Sequence, residues 1–235
     1  MKDKELLKVL KLSLGKLYKK DCYLLNQEHF VHEQTIAHRV VYYFERYIEI
    51  KNKDFYKEYN FDVEYNKNLK QAKVIFKQCN DCQYKSDCDN PTKNNQVLVE
   101  DISHTQETNI NSDKEPNSRP DFVIHQRGNN ENNILIVEFK KTNSKNECIY
   151  DDIDKLQYYT CSHSEYKYQL GYFVFIGING YIITTFKNGK AIRSSKYTRE
   201  TKKWEQIEIP TNSQEYKKFL KESINQQNFK NEIQH

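Results

Sequence analysis

The segment from Ser118 to Lys141, SRPDFVIHQRGNNENNILIVEFKK, limits the folds open to this chain more than any other. Its two apolar runs, FVI and ILIV, flank the turn-rich QRGNNENN, where Gly and Asn accept the positive φ of tight turns, so the segment predicts a β-hairpin. Side chains alternate faces along a strand, which puts Glu138 and Lys140 on one side with Phe139 between them. A turn centred near residues 129 and 130 then sets Asp121 opposite Glu138. Two carboxylates and a lysine are expected on one patch.

Carboxylates crowded at the end of an apolar hairpin repel each other unless a cation lies between them. Magnesium is held by one or two carboxylates and completes its octahedron with water and phosphate oxygens, so the patch suits phosphodiester hydrolysis. Lys140 is placed to orient or deprotonate the attacking water, or to neutralise charge building on phosphorus. The plainer reading is an edge hairpin whose Glu and Lys form a solvated pair, a pattern that arises readily where 30% of residues are charged.

At 235 residues the chain suits one domain with decorations, and 37% hydrophobic content with 13% aromatic predicts a core rich in Tyr and Phe. The net charge of +4 is too mild to diagnose nucleic-acid binding. No run of apolar residues is long enough to span a bilayer, and charges interrupt the amino terminus throughout. We therefore expect a cytoplasmic protein with no signal peptide and no membrane partner.

Residues 1–30 open with Leu6, Leu7, Leu10, Leu14 and Leu17 at helical spacing, an amphipathic helix whose other face is rich in lysine. Such a face is either solvated while the leucines pack on the domain, or an arm for DNA, a second copy or a protein partner. A second helix, VHEQTIAHRVVYYFERYIEI, buries Ile36, Ala37, Val40, Val41, Phe44, Tyr47 and Ile48. Glu33 shares that stripe: it either complements the helix dipole or reaches the hairpin patch.

A strand follows at Phe61, Val63 and Tyr65, and then an irregular insertion over about 70–117 that includes a short strand at QVLVEDI. Beyond the hairpin, DDIDKLQYYTCSHSE predicts a helix starting near Asp151 or Asp152, with Ile153, Leu156, Tyr159 and Thr160 inward. YKYQLGYFVFIGI, the Asn179-Gly180 turn and YIITTF form a second hairpin, and Asn188-Gly189 turns into AIRSSKY. A domain over 31–195 is followed by a 196–235 extension carrying a short helix in SQEYKKFLKESINQQ.

The resulting order, helix, strand, strand, strand, helix, strand, with paired acids on the second and third strands, resembles the PD-(D/E)xK nuclease superfamily. RPD at 119–121 and EFK at 138–140 carry the match, and HEQTIAHRVVYYFE, DVEYN, LIVEFKK, DIDKLQYYT and YKYQLGYFVFI look like phrases of an uncharacterised bacterial group within it. The resemblance covers roughly Val31 to Thr185 without the insertion. It implies an α/β domain of restriction-endonuclease-like fold, αβββαβ, its central mixed sheet flanked by helices.

It implies also a Mg²⁺- or Mn²⁺-dependent nuclease, acting on DNA rather than RNA. Asp121 and Glu138 would be metal-binding carboxylates, the Phe139 carbonyl a further ligand, Lys140 the catalytic lysine and Glu33 an accessory ligand. Lys155 stands where members often contact phosphate, although an exposed helix lysine explains it equally. Arg119 and Lys141 flank the patch and suit the phosphate backbone. The alternatives are an RNA-directed nuclease, or a catalytically silent nucleic-acid-binding or assembly subunit with the same fold.

Cys79, Cys82 and Cys88 form C-x2-C-x5-C inside the insertion, three thiolates of a tetrahedral zinc site or plain reduced cysteines. Cys22, Cys148, Cys161 and His104 are candidates for a fourth ligand. The spacing also resembles that of iron–sulfur nucleases in the same superfamily, which would place a 4Fe-4S cluster here. In those enzymes the triplet follows the catalytic strands, whereas here it precedes them.

Overall fold

The computed structural model describes residues 1–65, 67–68, 71–72, 74–76, 114–116, 119–142, 144 and 146–208. The chain opens with α1 (Asp3–Lys20), two short 3-10 turns at Cys22–Leu25 and Gln27–His29, α2 (Glu33–Lys51) and α3 (Lys53–Glu58). Strands β1 (Asn60–Val63), β2 (Lys67–Asn68), β3 (Gln71–Ala72), β4 (Val74–Phe76) and β5 (Lys114–Pro116) follow. Then come β6 (Phe122–His125), β7 (Leu135–Lys141), α4 (Asn146–Thr160), β8 (Leu170–Gly177), β9 (Gly180–Lys187), β10 (Lys190–Thr198) and β11 (Lys203–Ile207).

Seven strands make one mixed sheet in the order β1-β6-β7-β8-β9-β10-β11, while β2 pairs with β3 and β4 with β5. Every neighbour in the large sheet is antiparallel except β7 and β8, whose parallel pairing needs the crossover that α4 supplies. Local chemistry sets the helix ends. The Glu5 carboxylate accepts the Lys2 N–H at 2.9 Å at the start of α1, and the Asn52 side chain accepts the Phe55 N–H at 3.2 Å at the start of α3.

The period-two pattern divides the sheet into two apolar faces. Leucines of α1 and the Ile36, Val40 and Phe44 stripe of α2 pack over Phe122, Val137, Phe139, Val174 and Ile183. On the opposite face, Ile149, Ile153, Leu156 and Tyr159 of α4 cover Val123, Ile136, Phe173, Phe175 and Ile182. Each fully buried side chain of this size contributes about 1.5–3 kcal/mol from leaving water. The fold is thus a mixed α/β sheet with helices on both faces, as expected.

Several particulars differ from the sequence reading. α4 begins at Asn146, about one and a half turns before the acidic pair expected to start it. Tyr47 is only partly buried while Tyr43 is buried, its hydroxyl donating to Asp21 Oδ2 at 2.5 Å. The KWEQI segment, placed in an extension, forms β11 and completes the sheet, and β10 runs on to Thr198. The leucines of α1 pack on the domain, one of the two readings of that helix: α1 shares the core with α2, and Tyr18 hydrogen-bonds the carbonyls of Gly177 and Gly180, pinning α1 to the β8–β9 turn. The QVLVEDI strand and the helix of SQEYKKFLKESINQQ lie outside the described residues. Among the described residues, no helix is long and apolar enough to cross a membrane.

Candidate active site

The β6–β7 register pairs Phe122 with Val137, Val123 with Ile136 and Ile124 with Leu135. Extended by one residue, it sets Asp121 opposite Glu138. The turn expected near 129 and 130 closes through a Gln126–Asn129 bridge, with Gly128 at φ +79°. Asp121, Val123, Ile136, Glu138 and Lys140 have the parity of the α4 face. The carboxylates and the lysine therefore converge where β7 emerges from under α4.

The two acids are tied to each other's strands. The Asp121 N–H donates to Glu138 Oε2 at 3.4 Å, and the Phe139 N–H donates to Asp121 Oδ2 at 2.7 Å. Glu138 is 2% exposed, and its Oε1 is buried with no hydrogen-bond partner among the described residues. Burial, reinforced by the charges of Asp152 and Asp121, pushes the Glu138 carboxyl well up from its ordinary range. Burial also raises Asp121 to about 7; the Phe139 N–H opposes this, and the charges of Asp152 and Glu33 add to it.

Lys140 Nζ sits between two further acids, 2.8 Å from Glu33 Oε1 and 2.8 Å from Asp152 Oδ2. Burial alone would lower its pKa, but the charges of Asp152 and Glu33 outweigh that and hold it firmly protonated, above the ordinary lysine range. The remaining Glu33 oxygen accepts the Lys141 N–H at 2.9 Å and the Ser144 hydroxyl at 3.3 Å. Glu33 thus reaches the patch from the first residue of α2, and it does so through the lysine and not through the Asp121–Glu138 pair. Lys155 Nζ is 3.0 Å from Asp152 Oδ1 and is raised to about 12, burial being overcome by the charges of Asp152 and Glu138.

Asp152 is the residue that sequence reasoning missed as part of this site. It is 3% exposed and bridges Lys140 to Lys155. The Asp152–Lys155 spacing was visible, but only the docking of α4 on β7 aims that face inward. Of the other residues singled out, Arg119 is exposed, and Lys141 lies at the rim with its Nζ donating to the Val31 carbonyl at 3.0 Å. Cys79, Cys82, Cys88 and His104 lie outside the described residues. Cys22 is half-buried, Cys148 exposed and Cys161 buried.

Among the described residues, no three His, Cys, Asp or Glu side chains are grouped closely enough to hold a metal ion. The donor set nonetheless fits a divalent cation. Four carboxylates, Glu33, Asp121, Glu138 and Asp152, face only two lysines, and the surplus falls on the Asp121–Glu138 pair, where Glu138 Oε1 is unpartnered. An ion there would relieve both the repulsion and the orphaned oxygen. Comparison with known proteins finds no matching family model, no curated relative and no solved structure.

Proposed function

We propose that this chain has a restriction-endonuclease-like core and is a metal-dependent nuclease that hydrolyses phosphodiester bonds, most readily in DNA. The observation that carries the reading is the buried Glu138 carboxylate opposite Asp121, whose Oε1 has no hydrogen-bond partner among the described residues, with Lys140 on the same strand face. The order α2, β1, β6, β7, α4, β8 supports the core assignment. When bound, a Mg²⁺ or Mn²⁺ ion would supply positive charge against the phosphate and make a water molecule easier to deprotonate.

Asp121 and Glu138 would hold that ion, and the carbonyl of Phe139 is a further candidate ligand. The protonation of Lys140 narrows its role: an ammonium fixed by two carboxylates cannot take a proton from water near neutral pH. It instead donates hydrogen bonds to the attacked phosphate and offsets the charge that develops on its oxygens. Glu33 and Asp152 aim it and therefore act as positioning residues. Lys155, neutralised by Asp152, steadies that carboxylate. Arg119 and Lys141 at the rim suit the backbone phosphates.

A second reading has support from the same ion pairs: a catalytically silent nucleic-acid-binding or assembly subunit in which Lys140 only ties β7 to α2 and α4. Purified wild type, Lys140→Ala and Asp121→Ala, tested on linear, circular and single-stranded DNA and on RNA with Mg²⁺, Mn²⁺ or EDTA, separate the two. Metal-dependent cleavage abolished by both substitutions is expected, and cleavage of RNA alone would redirect the substrate. No cleavage by folded, metal-supplied wild type would favour the silent subunit. An anaerobic absorption spectrum of the same preparation reports whether Cys79, Cys82 and Cys88 carry an iron–sulfur cluster, and zinc analysis covers the other candidate.

A further inference from the structure

A groove of about 420 Å³ lies away from the acids, between α1 and the far strands of the sheet. Lys4, Lys8, Lys11 and Arg193 line it together with Trp204 and Tyr197, and among the described residues no acidic side chain does. The three lysines fall on one face of α1, at spacings of four and three. Among the described residues, none of these four cations is ion-paired to a carboxylate.

The aromatic side of the groove is built rigidly. Trp204 meets Tyr181 edge-on at 5.2 Å and Tyr197 at 5.3 Å between ring centroids, yet remains 38% exposed. Lys11 Nζ rests 3.6 Å from the centre of the Trp204 ring. Burial and the charge of Arg193 together lower the pKa of Lys11, so an anion entering the groove would relieve a like-charge contact. A lysine over a half-exposed ring is a weaker partner than a stacked base, so a base displaces it and frees the ammonium for a phosphate.

The groove opens on the α1 face of the sheet, whereas Asp121, Glu138 and Lys140 have the parity of the α4 face. Lys141 faces Ile176 in β8, Ile176 faces Tyr181 in β9, Tyr181 faces Tyr197 in β10, and Tyr197 faces Trp204 in β11. This cross-strand row has the parity of the α1 face, and Ile176 and Tyr181 within it are buried. Four strand spacings span about 19 Å.

We propose that this groove binds single-stranded nucleic acid, stacking a base on Trp204 and pairing the flanking phosphates with Lys4, Lys8, Lys11 and Arg193. The inference rests on the nuclease reading for its purpose, which is to add affinity for the nucleic acid that Asp121 and Glu138 would act on. The binding itself is measured without cleavage.

Trp204 is the sole tryptophan of the chain, so its fluorescence reports the groove directly. The experiment titrates the Lys140→Ala protein in EDTA with a short oligothymidylate at low and raised salt, with inorganic polyphosphate as the base-free control. Saturable quenching by the oligonucleotide and not by polyphosphate is expected. The Lys8→Glu, Arg193→Glu double substitution should weaken binding at least about tenfold and flatten its salt dependence by roughly 0.7 per lost phosphate contact. Trp204→Ala, followed with a labelled strand, should weaken binding by about tenfold.

Absent quenching, equal quenching by polyphosphate, or unchanged affinity in the double variant would overturn the proposal. Cleavage without groove binding would leave the nuclease reading standing alone, and groove binding without cleavage would support the silent binding subunit.

Discussion

Asp152 Oδ2 lies 2.8 Å from Lys140 Nζ, joining a helix that crosses the sheet to the strand that carries Glu138. If Lys140 must be aimed, its holder matters to the rate. Asp152→Asn keeps the shape and removes the charge, and it is expected to lower kcat by about 10–100-fold with little change in KM. Lys140→Arg should not restore activity, because a planar guanidinium cannot take the ammonium's place between two carboxylates. Steady-state kinetics of the two variants check this, and an undiminished kcat in Asp152→Asn would remove Asp152 from the site.

The carboxyl of Asp121 gives the metal-free protein a pH signature. Its pKa rises on folding from 3.8 to about 7, so the folded state retains a proton that the unfolded chain has already lost. Stability should therefore fall as pH rises through that window, and Glu138 pushes the same way. Melting temperatures in EDTA are expected to decline from about pH 5 to about pH 8, with a smaller decline in Asp121→Asn. Millimolar Mg²⁺ or Mn²⁺ should raise the melting temperature more at the higher pH, where the carboxylates are ionised. No shift with either metal would count against an ion at this patch.

The opposite sign is expected of Asp62. Its carboxylate meets His125 Nε2 at 2.8 Å and Arg127 Nε at 2.9 Å across the β1–β6 edge. Burial alone would raise its pKa, but these two partners outweigh burial and hold the carboxyl well below the usual carboxylate range. Its stabilisation is present above the unfolded pKa and is lost as pH falls below it. Asp62→Asn should destabilise by about 1–3 kcal/mol in urea titrations at neutral pH. Cleavage by the folded fraction should be unaffected, which makes the variant a control for the substitutions at Asp121.

Gly180 is expected to tolerate no side chain. Its φ of +151° is uncommon for other residues, and an added Cβ would lie 2.0 Å from the Tyr197 carbonyl oxygen. That oxygen belongs to backbone paired in the sheet and cannot swing aside. Gly180→Ala should destabilise by about 2–4 kcal/mol, measured by denaturant titration, whereas Gly128→Ala, with open space around it, should lose less.

The acid hairpin was legible because strand alternation and a Gly-Asn turn together leave one register that buries FVI and ILIV; the β6–β7 pairing is that register. The Asn179-Gly180 and Asn188-Gly189 turns were legible for the same reason. What sequence could not supply was tertiary. Asp152 looked like a helix-start residue because nothing local says that α4 begins about one and a half turns earlier and presses that face against β7. Glu33 was placed correctly on an inward stripe, but its engagement with Lys140 depends on where the first turn of α2 meets the end of β7. β11 was missed because KWEQI alternates weakly and stays mostly exposed, as an edge strand does.

The short β4–β5 pair brings Phe76 directly opposite Lys114, so the strand pairing alone fixes how far apart these two residues lie. With that distance set by the strand pair, a change in the length of the sequence between them should place little strain on the acid hairpin. The cysteine triplet sits within that excursion. Replacing residues 77–113 with a tight turn should therefore leave the acid cluster standing.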